Sequence, residues 1–123
     1  MCSSDLSFNG SAFVNFNDLT LTASDVPTNQ FGIFYYGPNQ VNGGLGTPFG
    51  EGRRCVGGQT VRLPVVNTGA SGSAERDIDN TQHPHSQNLQ PGSTWHFQFW
   101  YCDPQGGPAG WNVTDALSIT FCP

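Results

Sequence analysis

Nine residues near the C-terminus set the terms for the whole chain. Between Thr94 and Cys102 the side chains alternate: Trp95, Phe97, Phe99 and Tyr101 fall on one face, and His96, Gln98, Trp100 and Cys102 on the other. A period of two sustained over this length is that of a β-strand. Four aromatic rings along one face need a second layer to cover them, so the chain must build a sheet with something packed upon it.

Other segments supply the partners. Residues 31–36 place Phe31, Ile33 and Tyr35 on one face and Phe34 and Tyr36 on the other, so this strand is central or has one face covered by a partner. Residues 116–121 turn Leu117, Ile119 and Phe121 inward and leave Ser118, Thr120 and Cys122 outward. In residues 60–66, Val61, Leu63 and Val65 alternate with Arg62 and Pro64, and the proline marks an edge strand. Residues 12–16 and 19–23 are brief apolar runs, and residues 73–79 read as a solvent-facing strand. Pro91-Gly92 is a type II turn signal. Residues 37–58 and 104–110 are glycine- and proline-rich loops, the first with an extended piece around Val41. No segment carries a capped helical period. The expectation is an all-β fold, an antiparallel β-sandwich or jelly roll with glycine-rich loops.

With 123 residues there is room for one core and one domain. Residues 7–123 are read as a single β-sandwich module. Residues 1–6 are read as a non-native or disordered start, because Cys-Ser-Ser-Asp-Leu also matches one reading frame of a common sequencing adapter and lacks the features of a signal peptide.

Charged residues make up 11% of the chain, against about 25% in a typical domain, and lysine is absent. Four arginines and a net charge of −5 provide no basic stripe for a phosphate backbone, which argues against nucleic-acid partners and anionic membrane surfaces. No apolar run approaches the roughly 20 residues that span a bilayer, so no membrane insertion is expected. An aromatic content of 12% argues against disorder.

The sequence shows no catalytic constellation. There is no Gly-x-Ser-x-Gly elbow, and Gly43-Gly44-Leu45-Gly46 lacks the Lys-Ser/Thr of a phosphate loop. Glu51, Glu75, Asp103 and Asp115 are too scattered to name an acid–base pair. His83 and His85, with Asp77 and Asp79, have the chemistry to ligate zinc, but His-Pro-His in a polar stretch reads first as solvated loop; no metal or cofactor is expected.

Trp100 is the candidate for a binding surface, with His96, Gln98 and, from a loop, Trp111. Aromatic rings stack on pyranose faces and amides bond to hydroxyls, so such a group suits a glycan. The competing reading packs Trp100 beneath the glycine-rich loop.

Three blocks carry a resemblance. Residues 49–58 read Phe-Gly-Glu-Gly-Arg-Arg-Cys-Val-Gly-Gly. Residues 91–104 read Pro-Gly-Ser-Thr-Trp-His-Phe-Gln-Phe-Trp-Tyr-Cys-Asp-Pro. Residues 111–123 read Trp-Asn-Val-Thr-Asp-Ala-Leu-Ser-Ile-Thr-Phe-Cys-Pro. Together with residues 31–38 they resemble a module of unassigned function at the C-terminus of secreted bacterial proteins of planctomycete type. The resemblance implies an extracellular or cell-surface setting and a terminal place in a longer protein. It also implies a Cys55–Cys122 disulfide, worth about 4 kcal/mol in the chain-entropy model. Position 102 is arginine in that pattern and Cys102 here, which leaves an additional thiol: buried and inert, cross-linking, or paired with Cys2.

The functional expectation is a non-catalytic structural or display module for anchoring, adhesion or assembly. Its partners would be other protein modules, like subunits or glycans. The alternative is a carbohydrate-binding β-sandwich module.

Overall fold

A computed structural model describes residues 6–41, 46–49, 52–104, 108–114 and 116–122. The chain is nearly all β and antiparallel, as the alternation requires. Its strands are β1 (Leu6–Asn9), β2 (Thr20–Ala23), β3 (Phe31–Gly37), β4 (Asn39–Gln40), β5 (Thr47–Phe49), β6 (Gly52–Arg54), β7 (Val56–Gly57), β8 (Val61–Arg62), β9 (Val66–Asn67), β10 (Ala74–Asp77), β11 (Thr94–Cys102), β12 (Trp111–Val113) and β13 (Leu117–Thr120). A single short helix, α1 (His85–Asn88), is found among the described residues.

The aromatic strand β11 is the axis of the larger sheet. On one side it pairs with β3, Phe97 opposite Tyr36 and Phe99 opposite Phe34. Its other edge is shared: β13 takes the first half, Trp95 opposite Ile119, and β12 the second, Trp100 opposite Val113. The outer edge of β3 is divided in the same way between β8 and β9. The single edge strand expected over residues 60–66 is thus two fragments, interrupted at Leu63-Pro64-Val65, where proline cannot donate to the ladder.

A second sheet, ordered β1-β2-β10, covers the aromatic face. Leu21, Ala23, Leu6 and Ala74 meet Phe34, Tyr36, Phe97, Phe99, Ile119 and Phe121 in one buried core. Phe34 and Phe99 lie 4.4 Å apart, and Trp95 meets Tyr36 edge-on at 5.4 Å. Space is tight here: a Cβ on Gly32 would come within 2.3 Å of the Phe99 ring.

Several expectations need correction. Residues 12–16 are not a strand; Phe13 makes one parallel bridge to Cys122, and Val14–Phe16 is a 3-10 turn. Residues 37–58 are more than a loop. β4 pairs with β7 and β5 with β6, making a two-stage β-arm. The arm folds back over the outer face of the large sheet, and at Gly37 a Cβ would lie 2.4 Å from the Gly57 carbonyl oxygen. Val41 lies just past β4, its N–H donating to the Cys55 carbonyl at 2.9 Å. Leu6, assigned to the non-native start, is 5% exposed and pairs with Ala23, so the packed module includes it. Residues 1–5 lie outside the described residues. The turn at Pro91-Gly92 places Gly92 at φ +87°, the left-handed region glycine tolerates.

The Cys55–Cys122 pairing does not form. Cys122 is a free thiol, as is Cys102. Cys55 is disulfide-bonded, to neither of these. The register explains why. Cys55 sits against the middle of β11, its N–H donating to Gln98 Oε1 at 3.0 Å. Cys122 lies beyond the start of β11, where the Gly92 N–H bonds the Phe121 carbonyl. Six residues of strand are about 20 Å, while a disulfide needs Cα atoms within about 7 Å.

Candidate ligand-binding site

The outer face of the large sheet begins with a buried amide. Gln98 points away from the aromatic core, yet it is 0% exposed because the arm covers it. Its Oε1 accepts from the Tyr35 hydroxyl at 2.7 Å and from the Cys55 N–H at 3.0 Å, and its Nε2 donates to the Thr114 carbonyl at 2.6 Å. These bonds fasten the arm and the β12–β13 connection to the centre of the sheet. Burial pushes the Tyr35 phenol well above its ordinary range, against the opposing pull of the Arg54 charge.

Two residues further along β11 the cover ends. Trp100, half-buried, stands beside Ile33 of β3, its register partner. Trp111 on β12 lies next to it, the ring centroids 6.2 Å apart and the planes inclined at 37°. Phe49, at the end of β5, meets Trp111 edge-on at 4.4 Å. These residues, with Tyr35, Thr60, Arg54 and Arg62, line a cleft of about 400 Å³, within the roughly 300–1,000 Å³ of small-ligand sites.

Its charge is supplied by two arginines. Arg54 is half-buried at the end of β6; its Nε donates to the Val56 carbonyl at 3.0 Å, and its guanidinium lies 5.7 Å from the Phe49 ring centroid. Arg62 is exposed on β8, opposite Tyr35 on the same face. None of the described residues lining the cleft is acidic.

Of the four residues proposed from sequence, the fold brings two together. Trp100 and Trp111 share the cleft, although Trp111 comes from a strand rather than the expected loop. Gln98 is excluded from solvent and committed to internal bonds. His96 lies four residues, about 13 Å, before Trp100 on the same strand. Its Nδ1 is 2.6 Å from the Ser118 hydroxyl on β13, and burial lowers its pKa. Phe49, Arg54 and Arg62 escaped the sequence reading. The available signal was the Phe-Gly-Glu-Gly-Arg-Arg block itself: an aromatic residue and arginines inside a glycine-rich arm.

The chain matches no family model, curated protein or solved structure.

Of the side chains considered for zinc, His85, Asp77 and Asp79 have structural partners. His85 Nδ1 is 2.6 Å from the Tyr36 hydroxyl, Asp77 accepts from Thr20, and Asp79 accepts from Asn17 and Thr81. Hydrogen bonds from Thr81 hold the Asp79 carboxyl below its ordinary pKa. No group of three metal-ligating side chains occurs among the described residues.

Proposed function

We propose that this chain is a non-catalytic binding module of a secreted protein, serving adhesion or display, and that it holds a glycan in the cleft beside the β-arm. The observation that carries the reading is the convergence of Trp100, Trp111 and Phe49 from three different strands on one open cleft. Apolar rings that could have packed inward instead form a concave wall. Two inclined indoles offer faces on which a pyranose can rest, and their N–H groups have no acceptor among the described residues, leaving them free to bond sugar hydroxyls. Thr60 adds a hydroxyl at the rim.

The lining supports binding rather than turnover. Its described residues include no carboxylate, histidine or cysteine to act as acid, base or nucleophile. The extracellular setting rests on the resemblance noted above and on a polar, weakly charged composition without lysine.

Tryptophan fluorescence during titration with a panel of neutral and acidic oligosaccharides tests the proposal. Binding should perturb the emission, and Trp100→Ala and Trp111→Ala should each weaken it about tenfold or more while the far-ultraviolet dichroism is retained. A folded protein that binds no glycan in the panel would refute the reading.

A further inference from the structure

The cleft has a feature that a site for neutral sugar does not need. The chain has only four basic residues and a net charge of −5, yet two of the four, Arg54 and Arg62, line this one cleft. The other described arginine side chain, Arg76, is turned toward the Pro64 and Val65 carbonyls.

The two guanidinium groups are held differently. The bond from Arg54 Nε to Val56 and the Phe49 ring behind it fix the plane of the group and leave its terminal nitrogens uncommitted. Arg62 is tied to no acceptor among the described residues and lines the same cleft from β8. No acidic side chain occurs among the described residues of the lining, and neither guanidinium has a carboxylate partner among them. A planar donor fork beside an aromatic platform matches a ring that bears an anionic substituent, because guanidinium binds carboxylate or sulfate through paired hydrogen bonds.

We propose that the cleft selects acidic glycans, with a carboxylate or sulfate substituent held between Arg54 and Arg62 while its sugar ring lies against Trp100 and Trp111. This inference rests on the glycan-binding reading and specifies its ligand class. Arg62 is the discriminating anion contact, because it is exposed and supports nothing else. Arg54 also positions the arm through Val56.

The test is calorimetric titration with a galacturonate trimer, its fully methyl-esterified form and a sulfated trimer, on the wild type and on Arg62→Gln. The ester keeps the ring shape and removes the charge. At least one acidic trimer should bind about tenfold more tightly than the ester, the value of one charge-assisted hydrogen bond. Arg62→Gln should reduce that preference to less than about threefold, as should added salt. Which acidic trimer binds identifies the anion. Equal affinity for acidic and esterified trimers would overturn the selectivity and leave the glycan reading intact. An unchanged preference in Arg62→Gln would overturn the role of that residue. No binding of any trimer, together with no response to the neutral panel, would overturn both.

Discussion

At position 98 an amide occupies the centre of a sheet where the alternation would equally accept an apolar side chain. Gln98 is there because three strangers in sequence meet at that point: the Tyr35 hydroxyl, the Cys55 N–H and the Thr114 carbonyl. Each is buried, and each would lose a partner if the amide were removed. Gln98→Leu, close in volume, should therefore destabilise the fold by about 3 kcal/mol, since an unsatisfied buried polar group costs roughly 1–3 kcal/mol. Urea denaturation should show a lower midpoint. An unchanged midpoint would mean that water replaces the amide and the arm is not fastened through it.

The elements of this fold are short and locally weak, and they depend on close approach to β3 and β11. Gly32 is the clearest instance. Its backbone dihedrals are open to any residue, but the space above it is filled by the Phe99 ring and the Trp100 carbonyl, 2.3 and 2.7 Å from where a Cβ would sit. Phe99 is fully buried against Phe34 and has nowhere to retreat. Gly32→Ala should cost about 2 kcal/mol, in the range for overpacking. The cost should appear as a fall in melting temperature without loss of β-sheet dichroism. Full stability in this variant would show that the β3–β11 contact is looser than its geometry.

For the molecule as a whole, two imidazoles couple folding to pH. Burial lowers the pKa of His85 from 6.5, against the opposing pull of Asp79, and burial lowers that of His96 from the same value. The folded state therefore takes up these protons less readily than the unfolded chain. Their contribution is complete above pH 6.5 and is lost as the pH falls through the lowered folded values. The Asp79 carboxyl, held low by Thr81, adds a separate loss only in the carboxylate range. The urea midpoint should hold steady above about pH 7 and decline between about pH 6.5 and 5. In the His85→Gln/His96→Gln double variant the curve should be nearly flat across that window. A wild-type curve already flat there would show that neither imidazole is protected from protonation.

The alternation of residues 94–102 was enough to specify a strand, its buried face and an all-β fold, because a period of two projects directly onto the two faces of a sheet. The same logic located β3, the edge character near Pro64 and Trp100 as an outward ring. It failed wherever the partner lay far along the chain. Nothing in residues 37–58 states that a glycine-rich stretch will pair with itself and lie across β11, because those contacts depend on the tightness of the packing and not on a local period. The outward face of β11 was therefore readable, but its fate was not. The arm buries Gln98 and stops short of Trp100, and that difference of two residues separates a structural amide from a ligand-binding ring. Cys55 and Cys122 were separated for a related reason: strand register set them about 20 Å apart along β11, a distance that sequence spacing does not encode.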